Sequence, residues 1–204
     1  MRVKTDGRRQ AILGAALQVF REVGYQRASM AAIAARVGGS KATLYSYFKS
    51  KEELFAAAMV SALDDQGQEA IGLLDPSDPD VASVLRRFGE AELTLLTSSD
   101  AIAILRAAIA EGGNSQLGAM LFKIGPESAW SQVRDYLVEL QGREVLRPAD
   151  PQILAAHLKG LLESGVVEPL LFGADPWFTP KDAAATAVDA FLRLYGAGTP
   201  GRSE

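Results

Sequence analysis

Apolar residues recur every three or four positions through most of the chain. No segment alternates apolar and polar residues as a half-buried strand does, so the pattern predicts an all-α fold. Residues 7–23 put Ile12, Ala16, Val19, Phe20 and Val23 on one face, and Gly24 follows where a left-handed helix end costs least. Ser29 is a good N-cap for the next helix, whose buried stripe is Met30, Ile33, Ala34 and Val37 and whose length is only about two turns. Gly38 and Gly39 permit an abrupt reversal, and Ser40 caps a further short helix in which Leu44 and Phe48 point inward. Lys41, Ala42, Thr43, Tyr45 and Tyr47 are left on its outward arc. Ser50 and Glu53 form a capping box able to satisfy each other's backbone amides, so another helix starts at Lys51 and runs toward Leu74.

The run Asp75-Pro76-Ser77-Asp78-Pro79 breaks that helix. Helical spacing then returns over residues 80–98, 100–110, 115–123, 126–142, 151–172 and 180–195, separated by Gly-, Pro-, Ser- and Asp-bearing breaks. In the segment 151–172 the apolar residues spread around most of the helix circumference, which calls for two burial partners. The end of the chain is rich in Gly, Pro and Ser and reads as a disordered tail. The expected organisation is a small helical head over 1–55, a larger helical body over 56–196 and a tail over 197–204.

Two short helices joined by a tight glycine turn, the second with a polar and aromatic outer arc, form the helix-turn-helix pattern that fits a DNA major groove. The charge distribution agrees. Residues 1–51 hold ten Lys and Arg against two acids, a net of +8, whereas the remainder holds eleven against twenty-three, a net of −12, which together make the overall −4. An acidic average hides a basic head, and neutralising phosphates supplies most of the sequence-independent affinity for nucleic acid.

Composition narrows the alternatives. A 204-residue chain with 48% hydrophobic residues can fill a real core. It has no cysteine and a single histidine, His157, so disulfides, thiolate sites and a His-rich metal site are excluded, and a serine–histidine relay is disfavoured. No catalytic residues, metal or cofactor are expected. With no apolar run of about 18 residues and no signal-peptide pattern, a cytoplasmic location is expected.

The segment S-M-A-A-I-A-A-R-V-G-G-S-K-A-T-L-Y-S-Y-F-K-S-K-E-E-L-F, residues 29–55, resembles the DNA-binding domain of TetR-family transcriptional regulators. That family usually has Ala-Gly-Val-Ser where this chain has Val37-Gly38-Gly39-Ser40, and often Gly in place of Ala42; the glycine at 39 supplies no side chain to bury. The resemblance, with the outward phase of the second helix, implies DNA contacts by Ser29, Ser40, Lys41, Ala42, Thr43, Tyr45, Tyr47 and Lys51. Base edges fall to Lys41, Thr43 and Tyr45, and phosphates to Ser29, Tyr47 and Lys51. The resemblance also implies a homodimer on a palindromic operator of double-stranded DNA, with an interface drawn from Ala155, Leu158, Leu161, Leu162, Val166, Ala184, Val188 and Phe191. A small, largely apolar effector is implied among Phe88, Glu92, Leu95, Phe122, Trp130 and Val133. Glu90-Ala91-Glu92, Glu111 and Phe122-Lys123-Ile124-Gly125-Pro126 resemble the AefR-type C-terminal class. Two functions stay open: a repressor released from its operator by an effector, and an effector-independent DNA-binding or architectural protein.

Overall fold

The computed structural model describes residues 2–112 and 117–197. Its helices are α1 (Arg2–Arg27), α2 (Met30–Val37), α3 (Lys41–Tyr47), α4 (Lys51–Ile71), α5 (Val81–Leu96), α6 (Ser99–Gly112), α7 (Leu117–Phe122), α8 (Ser128–Gly142), α9 (Pro151–Glu163), α10 (Val167–Phe172) and α11 (Pro180–Tyr195). A π-helical turn over Lys123–Glu127 leads into α8. Among the described residues there is no strand, only an isolated bridge between Leu146 and Gly196, so the all-α expectation holds. The chain divides into two compact units, Met1–Asp65 with Arg106–Gly125 and Gln66–Leu105 with Pro126–Glu204.

In the first unit α1 buries Ile12, Leu13, Ala16, Val19 and Phe20, α2 buries Met30, Ile33 and Ala34, and α4 buries Leu54, Phe55, Ala58 and Met59. Gly24 breaks α1 with φ 77° and ψ 163°, the place where the sequence pattern ends the helix. The break brings Tyr25 back onto the aromatic core: Phe55 meets Phe20 edge to face at 4.8 Å between ring centroids and Tyr25 at the same separation. Ser29 caps α2 by accepting from Ala32 N at 3.1 Å. Ser50 caps α4 through Glu53 N at 3.1 Å, but the Glu53 carboxylate reaches back to Lys49 N at 2.7 Å, one residue before the amide a simple capping box would satisfy.

The second unit packs α5, α8, α9 and α11 around Val84, Leu85, Phe88, Val133, Leu137, Leu154, Leu158, Leu162, Val188 and Phe191. Gly89 sets the closeness of α5 to its neighbours, since a Cβ there would stand 2.6 Å from Leu162 Cδ2 and 3.2 Å from Ala184 Cβ. The expected single helix over 151–172 is two helices. Gly165 takes φ 71°, and Pro169 has no N–H to return to the carbonyl four residues earlier; that carbonyl, Gly165 O, accepts instead from Trp177 N at 2.8 Å.

This break and the packing redraw the expected interface. Ala155, Leu158, Leu162, Val166, Ala184, Val188 and Phe191 are all buried inside the subunit's own core, and Leu161 is half-buried against it. Apart from Leu161, which keeps part of its surface in solvent, these side chains are taken up by packing within one chain. At the chain's end, Arg147 N donates to Tyr195 O at 2.7 Å and Ala197 N to Val145 O at 3.0 Å. Ala197, expected to begin the tail, is thus held in the fold, while the rest of the 197–204 expectation lies outside the described residues.

Candidate nucleic-acid interface

The geometry of α3 follows from its two buried anchors. Leu44 and Phe48 are sealed in the core of the first unit, which turns Lys41, Ala42 and Tyr45 to solvent and leaves Thr43 and Tyr47 half-exposed. Tyr45 keeps 43% of its surface exposed. The Lys41 ammonium hovers 5.9 Å from the Tyr45 ring centroid, so cation and aromatic present one combined surface. Ser40 Oγ accepts from Thr43 N at 3.0 Å and lies 2.9 Å from Thr43 Oγ1, fixing the start of the helix. Gly38, left-handed at φ 69° and ψ 44°, donates its amide to Ala34 O and Ala35 O and closes α2.

The cations of this unit do different work. Lys51 turns its ammonium onto the carbonyl ends of the first helix, donating to Tyr25 O at 3.0 Å, Ala28 O at 3.3 Å and Gln26 O at 3.5 Å, with the Tyr25 ring 4.3 Å away. Arg36 is held by Glu22 in a two-pronged pair at 2.6 and 2.8 Å, and that hydrogen bond draws the exposed Glu22 carboxyl below its usual range. Tyr25 Oη donates to Glu52 Oε1 at 2.8 Å. The Glu52 carboxyl is lowered chiefly by a backbone N–H at the helix start, then by Tyr25 and Ser50. Arg9 stacks over the Phe48 ring at 5.3 Å. Helical spacing alone does not say which neighbours the long side chains of Tyr25, Arg8 and Arg9 meet, so the sequence pattern does not point to them individually.

Residues 12–58 match the family profile for bacterial regulatory proteins of the tetR family. Residues 83–197, more than half of the chain, match the profile of the AefR-like transcriptional repressor C-terminal domain. The chain belongs to the TetR family. An uncharacterized HTH-type transcriptional regulator of Bacillus subtilis (strain 168), YhgD, is 28% identical over 192 residues, covering 92% of this chain and 94% of that protein. The solved flavonoid-responsive regulator FrrA superposes with a TM-score of 0.79 at 26% identity, over 95% of this chain and all of the other. A TetR transcriptional regulator from Agrobacterium tumefaciens superposes at 0.75 with 26% identity, over 93% and 95% of the two chains. This TetR-family member is accordingly a DNA-binding transcriptional regulator.

In the second unit of the regulator, Phe88 and Trp130 meet edge to face at 6.1 Å between ring centroids, and Val133 lies one turn along α8 from Trp130, fully buried in the same cluster. Glu92, one turn along α5 from Phe88, is 8% exposed, and burial first and Glu163 second push its carboxyl up to about 7, with Lys159 opposing. Leu95 is buried near the end of α5. Phe122, expected among the effector residues, belongs to the first unit and is 59% exposed. His157 is exposed and hydrogen-bonded through Nδ1 to the Tyr195 hydroxyl. Among the described residues, no group of three or more His, Asp or Glu is arranged to hold a metal ion, and no single helix is long and apolar enough to cross a membrane.

Proposed function

We propose that this regulator is a homodimeric repressor whose paired α3 helices hold a palindromic operator and which a small, largely apolar effector releases. The observation that carries the DNA reading is the outward, cation-and-aromatic face of α3 anchored by Leu44 and Phe48. Lys41, Thr43 and Tyr45 read base edges; Ser29, Tyr47 and Lys51 hold phosphates, for which Lys51 must give up part of its carbonyl bonding. The effector binds among Phe88, Glu92, Leu95, Trp130 and Val133, its bulk against the rings and a polar group toward Glu92. The flavonoid-responsive FrrA supports a ring-rich effector. Helix α4 runs from Lys51 in the first unit to Ile71 in the second and carries the signal. A tenfold loss of operator affinity needs only about 1.4 kcal/mol of coupling.

The partner face follows from exposure. On α9 the residues left in solvent are Gln152, Ile153, Ala156, His157 and Gly160, the last four at helical spacing, and α11 adds Leu194. Phe172 and Trp177, 84% and 74% exposed, extend the apolar surface. A two-fold dimer through this face presents two reading helices to two half-sites.

The test is anisotropy on the duplex that the wild-type protein selects from a random pool, with a scrambled duplex as control and a panel of flavonoids and other ring-rich apolar compounds as releasing agents. Tyr45→Ala is expected to weaken the selected duplex more than the scrambled one, and Trp130→Phe to shift the concentration of compound needed for release. Sequence-blind binding that no compound affects would instead identify an effector-independent DNA-binding protein.

A further inference from the structure

Position 39 of the turn is glycine although its backbone does not require one. Gly38 is left-handed, whereas Gly39 is not among the residues with positive φ. The space a side chain would take there is occupied by the flexible end of another residue: a Cβ on Gly39 would stand 2.8 Å from Arg8 Nη2, so a side chain at 39 would push the guanidinium aside. Arg8 projects from α1, is half-buried, and donates through Nη1 to Val37 O at 3.4 Å. Val37 ends α2, so its carbonyl is one of those the helix itself leaves unpaired, and a guanidinium suits the negative end of the helix dipole. Arg8, Val37, Gly39, Ser40 and Thr43 line one shallow cleft at the start of α3.

Among the described residues, the other hydrogen bonds of the turn are local. Ser40 and Thr43 bond to each other, and Gly38 and Gly39 bond back into α2, so these contacts shape the turn without fastening it to the rest of the unit. The seven-residue α3 buries Leu44 within it and Phe48 at its C-cap, both toward its last turn. Arg8 holds the end of α2 just before the turn, and Arg9, the next residue on α1, stacks on Phe48 after the last turn of α3.

We propose that Arg8 is a positioning residue for DNA readout: its guanidinium occupies the space a side chain at position 39 would fill, pins the turn to α1, and thereby sets the angle at which α3 meets the bases. The proposal rests on α3 being the reading helix. It makes Arg8 and Gly39 a coupled pair, in which a side chain at 39 displaces the guanidinium and takes over the space it filled.

The experiment is a double-mutant cycle of Arg8→Ala, Gly39→Val and the double variant. The readouts are the affinity ratio between the selected and scrambled duplexes and the thermal melt by circular dichroism. Arg8→Ala is expected to lower the ratio by about tenfold, and the cycle to show a coupling of about that size between positions 8 and 39, as residues in contact do. Gly39→Val alone lowers it by displacing the guanidinium, and the double variant recovers most of the loss because valine fills the vacated space. Additive losses, or an equal loss on both duplexes with the salt slope reduced by about one, overturn the proposal and make Arg8 an ordinary phosphate contact. If Arg8→Ala does not fold, Gly39→Val decides alone, and an unchanged ratio overturns the proposal. Tyr45→Ala, run in parallel, separates the two readings: an unchanged ratio there removes α3 as the reader, whatever the cycle shows.

Discussion

At the scale of single residues, the second unit holds two polar groups whose burial is costly. Glu92 binds its proton more tightly when folded, with its carboxyl raised from 4.5 to about 7 by desolvation. Between those two pH values the folded chain carries more protons than the unfolded one, so the contribution of Glu92 to stability is fully present below 4.5 and is lost as pH rises to 7. Glu92→Gln removes that dependence and is expected to stabilise the protein above pH 7 by on the order of 3 kcal/mol, read as a flattened stability–pH curve in urea titrations. A curve unchanged from wild type would mean that Glu92 ionises freely in the fold. Tyr136 is the companion case. Its hydroxyl is buried without a hydrogen-bond partner among the described residues, and burial pushes it up to about 12. Tyr136→Phe removes an unsatisfied group at nearly constant shape and is expected to leave stability unchanged or raise it by about 1 kcal/mol. A clear loss would show that the hydroxyl is paired in solution.

At the scale of elements, the break between α9 and α10 is the feature that helical periodicity could not supply. The apolar residues of 151–172 continue smoothly across it, and only Gly165 and Pro169 signal an interruption. What makes the interruption stable is distant in sequence: Trp177 donates its amide to Gly165 O, and the Trp177 and Phe178 rings lie against the glycine, where a Cβ would be 2.8 Å from one and 3.0 Å from the other. Gly165→Ala meets both obstacles, a positive φ and two rings. It is expected to cost about 2 kcal/mol, measured as a lower urea midpoint at unchanged slope. An effect below a few tenths of a kcal/mol would show that the Trp177 loop gives way freely. The same logic separates Lys51 from the other expected phosphate contacts. Its place in the first turn of α4 was evident from the capping box, but its bonds to three carbonyls of the α1 end depend on Gly24 folding the chain back.

At the scale of the whole molecule, assembly tests the redrawn partner face. Leu158 is fully buried in the subunit core, so Leu158→Glu is expected to unfold the second unit outright. Ile153 lies half in solvent on the opposite side of α9, so Ile153→Glu should leave the circular dichroism spectrum intact and split the dimer at micromolar concentration in sedimentation. A stable dimer carrying Ile153→Glu would move the interface elsewhere. On the proposed dimer, operator affinity should fall with dissociation, because each head alone forfeits the effective concentration that linkage to a second head provides.

The sequence by itself determined the all-α class and the order of helices, because both are written in local terms: apolar spacing, capping residues and glycine breaks within a few positions of one another. The same local terms settled which side of α3 faces outward, since Leu44 and Phe48 admit only one phase. The tertiary structure alone decided which hydrophobic residues are core and which are surface. Ala155, Leu158, Val188 and Phe191 are as apolar as Ile153 and Leu194, and only the packing of α5, α8, α9 and α11 around one another separates buried from exposed. It alone decided the partners of long side chains as well. Arg8 reaching Val37 and Lys51 reaching Tyr25 join residues more than twenty positions apart, and the conformational freedom of such side chains leaves no periodic trace in the chain that carries them.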